Sequence, residues 1–243
     1  MKKLKFEIIL PYYKRPQIVL NTLNSIKNSS YDNWHLTFID DSGDDSFHST
    51  LVDFGFDSSK FSYIPIMMSD EDKIKLGGSI HGKYMNDVIE QSDADVIIPI
   101  CDDDALVFDY MEKLNEYYNN NEEVMWSYCH LNFYDPYKES YEESKPESDN
   151  PALNYPYLNS HINELNPYHC KDFSQVTFRR KALIDKNIKY QYPRSNDLDA
   201  GIFQDFFWSW GVCPFNGLRG QHKGWHLEQL GVRLRSNRGH YIN

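Results

Sequence analysis

The chain opens on a short apolar run, Phe6-Glu7-Ile8-Ile9-Leu10-Pro11, with the pattern of a buried strand. Val19, Leu23 and Ile26 then recur at helical spacing behind Pro16, which suits a helix start because its missing N–H has no partner there. Leu36-Thr37-Phe38-Ile39 reads as a second strand, closed by Asp40-Asp41-Ser42-Gly43-Asp44-Asp45, and residues 61–66 read as a weaker third. Ile80, Tyr84, Val88 and Ile89 mark another helical face, leading into the apolar run Val96-Ile97-Ile98-Pro99-Ile100. Strand–helix alternation of this kind predicts an α/β fold, with a mainly parallel sheet flanked by helices and joined by right-handed crossovers.

Beyond Asp104 the pattern loosens. Met111, Leu114 and Tyr118 predict a helix, and Val124, Trp126 and Tyr128 alternate as a strand does. Residues 135–167 are polar and rich in Asn, Pro, Tyr, Ser and Glu; a connection this long predicts a functional loop or lid. A short strand at 176–178, a helix at 180–186 and a strongly aromatic helix at 200–210 follow. No internal repeat and no linker interrupts the chain, so residues 1–243 read as one domain, a regular half to about residue 108 and an extension from 109.

Composition narrows the class. Hydrophobic residues at 40% and charged residues at 25% are ordinary for a globular domain. No apolar run approaches the roughly 20 residues a membrane helix needs, and the basic start Met1-Lys2-Lys3-Leu4-Lys5 leads into a strand instead of a signal peptide. The chain therefore reads as cytoplasmic. Cys101, Cys129, Cys170 and Cys213 lack zinc or redox spacing and read as free thiols. A net charge of −11 argues against nucleic acid as a partner. The charge is uneven: residues 135–150 are acidic, whereas Arg219, Lys223, Arg233, Arg235 and Arg238 face only Glu228 in the tail. Such a tail either neutralises an anionic ligand or is a solvated end.

The sharpest chemical signal is Asp102-Asp103-Asp104, directly behind a buried strand. Three adjacent carboxylates repel one another unless well solvated or bound to a cation. Oxygen donors suit a hard divalent ion such as Mg²⁺ or Mn²⁺, whereas the alternative is an acidic helix start. Parallel strands deliver their carboxyl ends to one edge, so Asp40-Asp41 would face the same cleft. One cluster would hold the metal and the other would accept hydrogen bonds from a base or ribose, which predicts a site for a nucleoside diphosphate and a divalent ion.

These residues resemble the family 2 glycosyltransferases of the GT-A fold. Ile8-Ile9-Leu10-Pro11-Tyr12-Tyr13-Lys14-Arg15-Pro16 resembles their first strand and turn, and Phe38-Ile39-Asp40-Asp41-Ser42-Gly43-Asp44 their Asp-Asp-Gly-Ser-like turn. Gly77-Gly78 with Lys83 and Asn86 resembles the segment before the metal motif, and Ile100-Cys101-Asp102-Asp103-Asp104 the Asp-x-Asp element. The matches run in family order over about residues 6–108. The resemblance implies that Pro11 and Tyr12 line the nucleotide pocket, with Tyr12 against the base; the alternative for Tyr12 is packing. It implies that Asp41 and Asp40 bind the base, and that Asp103 and Asp104 approach the metal and phosphates with Asp102 in support. Arg15 and Lys83 become candidates for phosphate or base contacts. The chain departs from the pattern at Lys14, where Asn is usual, at Ser42-Gly43, which reverses the order, and at Met85, where Arg is frequent.

In the extension, Gln204-Asp205-Phe206-Phe207-Trp208 stands where relatives carry a Glu-Asp pair. Asp205 is the candidate general base, with Asp197 and Asp199 as rivals, and burial among Phe206, Phe207 and Trp208 would strengthen it. The segment from Phe173 to Arg180 resembles the family strand beside the acceptor site, and His222 a late histidine near the metal, a candidate third ligand. The resemblance implies an inverting, Mn²⁺- or Mg²⁺-dependent transfer of a sugar from a nucleoside-diphosphate donor, UDP by preference, to a carbohydrate or glycoconjugate hydroxyl. Two alternatives stay open: a nucleotidyltransferase, although the turn at residues 12–16 lacks the glycines such an enzyme needs, and a non-catalytic carbohydrate-binding protein of the same fold.

Overall fold

The computed structural model describes residues 1–135, 140–143, 176–193, 202, 205, 206, 208–210 and 215–223; for 130–135, 140–143 and 215–223 only the backbone is considered. The expected polar lid therefore lies outside the described residues, apart from 135 and 140–143. So do Asp197, Asp199, Cys170, Cys213, the segment 173–175 and the tail beyond Lys223.

Strands β1 (Phe6–Tyr12), β2 (Trp34–Asp40), β3 (Phe61–Pro65) and β4 (Val96–Pro99) form the regular half. They pair side by side in the order β3-β2-β1-β4, all parallel. Helices α1 (Pro16–Lys27), α2 (His48–Phe54), α3 (Asp70–Leu76) and α4 (His81–Gln91) make the crossovers. A short strand β5 (Asp104–Leu106) and helix α5 (Tyr110–Asn120) follow, then β6 (Trp126–Asp135), β7 (Ser140–Glu143), β8 (Val176–Arg179), α6 (Arg180–Lys186) and β9 (Phe215–Lys223). Antiparallel pairing begins where β8 joins β4, and the path continues β8-β6-β9-β5, with β7 on β6. The parallel strands thus carry the acidic turns, and the extension completes the sheet beside them.

Strands β1, β2 and β4 are buried on both faces, which is why they read as apolar runs without alternation. Phe6, Ile8 and Leu10 of β1, with Val96 and Ile98 of β4, enter one core with Val19, Leu23 and Ile26 of α1 and Met111, Leu114 and Tyr118 of α5. Ile9 and Ile97 enter the other, with Met85, Ile89, Phe178 and Leu183. Pro16 occupies the first turn of α1, and the buried stripe at positions 19, 23 and 26 is the one the spacing predicts.

On α4 the buried face differs from the expectation. Met85, Asn86 and Ile89 are buried, whereas Tyr84 and Val88 are only partly so. Asn86 turns inward because its amide exchanges two 2.8 Å hydrogen bonds with the backbone of Tyr190, a pairing that apolar periodicity does not register. Asp104 opens β5 and does not start a helix, so the alternative of an acidic helix start does not describe it.

Candidate functional site

The first acidic turn follows β2. Asp40 ends the strand, opposite Tyr12 in the β1 register. Its carboxylate accepts from the backbone N–H of Ser42 and from the Tyr63 hydroxyl at 2.8 Å. Burial is the largest influence raising the Tyr63 phenol, and Asp40 adds to it. Gly43, two residues after Asp41, has φ +90°, and a Cβ there would sit 2.8 Å from the Met68 carbonyl oxygen. Only glycine meets both demands, so this residue fixes the close approach that folds the turn against the end of β3.

Asp41 is nearly fully buried, and its backbone N–H donates to the Tyr12 carbonyl. Lys73 of α3 lies 2.8 Å from one carboxylate oxygen and also donates to the Asp41 carbonyl. Ser79 donates to the other carboxylate oxygen, and Ser79 in turn contacts Nδ1 of His81 at 2.6 Å. Burial pushes the Asp41 carboxyl up, but His81 at 3.8 Å, Lys73 and Ser79 together outweigh it and hold the group below its usual range. Lys73 is the only buried residue of α3.

The second acidic turn follows β4. Arg15 reaches across from the turn after β1 and grips Asp102 with Nε, 3.1 Å from Oδ2, and with its terminal nitrogen on Oδ1. Its other nitrogen is 3.4 Å from Asp103. A planar fork on one carboxylate is the geometry that makes arginine effective in partly buried ion pairs. The backbone N–H of Tyr13 also donates to Asp102, and Thr22 of α1 donates to the Asp102 carbonyl. Burial, the largest influence on Asp102, raises its carboxyl above the ordinary value against the pull of Arg15.

Tyr13 joins the two turns. While its N–H serves Asp102, its hydroxyl donates to Asp70 at 2.8 Å, and Asp70 also pairs with Lys14 and lies 3.5 Å from Lys73. The acidic ends of β2 and β4 therefore share one edge, with the residues after β1 between them. Among the described residues, Cys101, Asp103 and Asp104 bring one donor atom each within 4.8 Å of one another, a set that could hold a metal ion.

The other candidate residues differ in their surroundings. Tyr12 is buried, stacked on Phe47 at 4.8 Å and tilted against Phe38 at 5.1 Å, so packing describes it better than contact with a base. Burial, then the charges of Asp40 and Asp102, push its phenol up to about 12. Lys83 is paired with Asp87 one turn along α4, and that partner raises its ammonium. Pro11 lies on β1 beside Ile39, partly exposed. Asp205 is exposed, so the expected burial among aromatic rings does not occur; its neighbour Phe206 is the buried one, packed on Trp126 and Phe178. The backbone of His222 pairs with Ala105 and that of Lys223 with Asp104, which brings β9 beside the second acidic turn.

Sequence reasoning missed Lys73, Asp70, Ser79 and His81. The signal lay in the cap: Ser69 before Asp70-Glu71-Asp72, and Gly77 after Leu76, bracket a one-helix segment. With so short a helix, periodicity alone does not reveal that its inward residue is a lysine.

No family model matches the chain, and no curated protein matches it. Solved structures do. Residues 1–349 of S. aureus TarS match at TM-score 0.66 and 14% identity, over 91% of this chain and 60% of that one. The same protein in complex with UDP-GlcNAc matches at 0.67 and 14%, over 92% and 59%, and in complex with UDP at 0.63 and 13%, over 96% and 64%. This chain has the GT-A fold. It spans about 60% of the length of the TarS 1–349 chains and 38% of the longer TarS chain it also matches, and at this identity the likeness is one of architecture. No helix among the described residues is long and apolar enough to cross a membrane.

Proposed function

We propose that the protein is a glycosyltransferase that moves a sugar from a nucleoside-diphosphate donor, UDP in the first instance, to a hydroxyl of a carbohydrate or glycoconjugate. The observation that carries this reading is the convergence of two buried acidic turns, Asp40-Asp41 and Asp102-Asp103-Asp104, at one edge of a parallel sheet. Ligands of open α/β sheets bind at that edge. The fold's likeness to TarS, seen with UDP-GlcNAc and with UDP, supports a nucleotide-sugar donor.

In this reading Asp41, held ionised by Lys73 and Ser79, accepts hydrogen bonds from the base. Arg15 keeps Asp102 in place and offers positive charge beside the diphosphate. The donor set fits a divalent ion: Asp103 and Asp104 supply oxygen atoms close enough to share one. Mn²⁺ or Mg²⁺ held there would offset the negative charge that grows on the leaving diphosphate. Asp205, exposed on the acceptor side, takes the proton of the attacking hydroxyl, and a single displacement at the anomeric carbon inverts its configuration. His222, on β9 beside the second acidic turn, remains a candidate further ligand. The turn after β1 has no glycine-rich phosphate loop and is filled by Arg15, which disfavours the nucleotidyltransferase reading.

A thermal-shift series with UDP, GDP, dTDP and CDP sugars, with and without Mn²⁺, tests the donor, since a ligand of the native state raises apparent stability. Stabilisation by a UDP sugar that Mn²⁺ strengthens, and that Asp103→Asn abolishes, is the expected result. Binding without hydrolysis or transfer would instead mark a carbohydrate-binding protein of the same fold. No response to any nucleotide sugar would remove the reading.

A further inference from the structure

The three donors at the second acidic turn are not all oxygen. Cys101 precedes the aspartates, is partly exposed, and brings its Sγ within 4.8 Å of the Asp103 and Asp104 carboxylate oxygens. Asp102, the first of the three aspartates, is withdrawn from the group because the Arg15 fork and the Tyr13 N–H claim its carboxylate. The set that faces a shared point is therefore Cys101, Asp103 and Asp104, not the three adjacent aspartates.

We propose that Cys101 is a metal ligand and that its sulfur shifts the site from a Mg²⁺ preference toward thiophilic divalent ions such as Co²⁺ and Zn²⁺, with Mn²⁺ between. The inference rests on the metal reading of the proposed function and deepens it. Carboxylate oxygens alone suit Mg²⁺ and Mn²⁺, and a thiolate adds affinity for softer ions. Binding replaces the S–H bond with a sulfur–metal bond and releases the thiol proton to solvent, with no change in oxidation state. The nearby Arg15 guanidinium offsets part of the negative charge that two carboxylates and a thiolate bring together.

Co²⁺ titration of the full chain provides the test, read by near-ultraviolet absorbance and by calorimetry. The parent protein should bind Co²⁺ with a cobalt–thiolate charge-transfer band. Cys101→Ser should still bind Co²⁺, about tenfold more weakly or worse, without the band, while its Mg²⁺ affinity changes little. In the parent, Zn²⁺ should also protect Cys101 from alkylation, as located by peptide mass mapping. This measurement needs no variant and stands if Cys101→Ser folds poorly. Calorimetric Co²⁺ binding with no band in the parent, or a band that survives Cys101→Ser, would overturn the role of Cys101 and leave the metal site intact. Absence of any divalent-ion binding in the parent would overturn the metal site itself.

Discussion

Lys73 sets its ammonium 2.8 Å from the Asp41 carboxylate with no part of the lysine exposed to solvent. A buried lysine is stable only where its charge is matched, and here the match is Asp41, with Asp70 at 3.5 Å. The pair also ties α3 to the end of β2, because α3 buries no other residue.

Replacing Lys73 with Met should therefore cost far more than a surface substitution. Removing one partner strands the other charge in the interior, a loss of about 3–5 kcal/mol in comparable pairs. The double variant Lys73→Met/Asp41→Asn should recover a substantial part of that loss. Urea unfolding of the two single variants and the double variant measures the coupling, and strictly additive losses would mean that the pair contributes nothing as a pair.

The same pair sets a pH dependence. Burial alone would raise Asp41, and the neighbouring His81, Lys73 and Ser79 reverse the direction. A carboxyl whose folded value lies below its unfolded value stabilises the protein fully above about pH 4. That contribution fades as the pH falls through the folded value. The melting temperature of Asp41→Asn should lie below that of the parent at neutral pH, with the gap closing on acidification below about pH 4. A gap that stays constant across this range would show that Asp41 acts by shape and not by charge.

At the other turn, Arg15→Lys should not be conservative. A lysine cannot reproduce the two-point grip on Asp102, so the variant should lose about 2 kcal/mol, less than a fully buried pair because Arg15 is about one-third exposed. Arg15→Gln should be at least as damaging. Chemical denaturation of both distinguishes geometry from charge: equal stability of Arg15→Lys and the parent would show that a point charge suffices.

Much of this was legible in the chain. The continuous apolar runs of β1, β2 and β4 signalled strands buried on both faces, and the aspartates behind β2 and β4 do lie at one edge of the sheet. Less legible was which side chains serve chemistry and which serve packing. Tyr12 sits in a motif position yet spends its ring on Phe47 and Phe38. Lys83 resembles a functional lysine yet pairs along its own helix. Lys73 had no such resemblance, because its role depends on α3 folding back over the end of β2, a long-range contact that local pattern does not encode. Cys101 read as an inert thiol because cysteine spacing was the only criterion, and its neighbours in space were the informative ones.

Gly43 offers a sharper test of the turn itself. Ala there must accept φ +90° and a Cβ 2.8 Å from the Met68 carbonyl, which is backbone and gives little. Gly43→Ala should destabilise by about 1–3 kcal/mol and should weaken UDP binding if Asp40 and Asp41 contact the donor. Gly55→Ala is the control: its Cβ would meet only the flexible end of Lys27, so it should show the cost of positive φ without the clash. Equal losses in the two variants would remove the packing argument for Gly43.

Replacing Asp205 separates donor binding from chemistry. Asp205 is exposed on the aromatic helix segment whose Phe206 packs on Trp126 and Phe178, apart from the ion pairs built on Arg15 and Lys73. Asp205→Asn keeps the shape of the side chain and removes its basicity. If Asp205 accepts the acceptor proton, the variant should bind UDP sugar as the parent does and lose about 10²- to 10⁴-fold in kcat. Its stability should change little, because an exposed carboxylate leaves no stranded partner behind. Transfer assays against a panel of glycan acceptors, run beside calorimetric UDP titration, separate the two effects. Retention of kcat in Asp205→Asn would move the proton acceptor elsewhere in the extension, with Asp197 and Asp199 the next positions to replace.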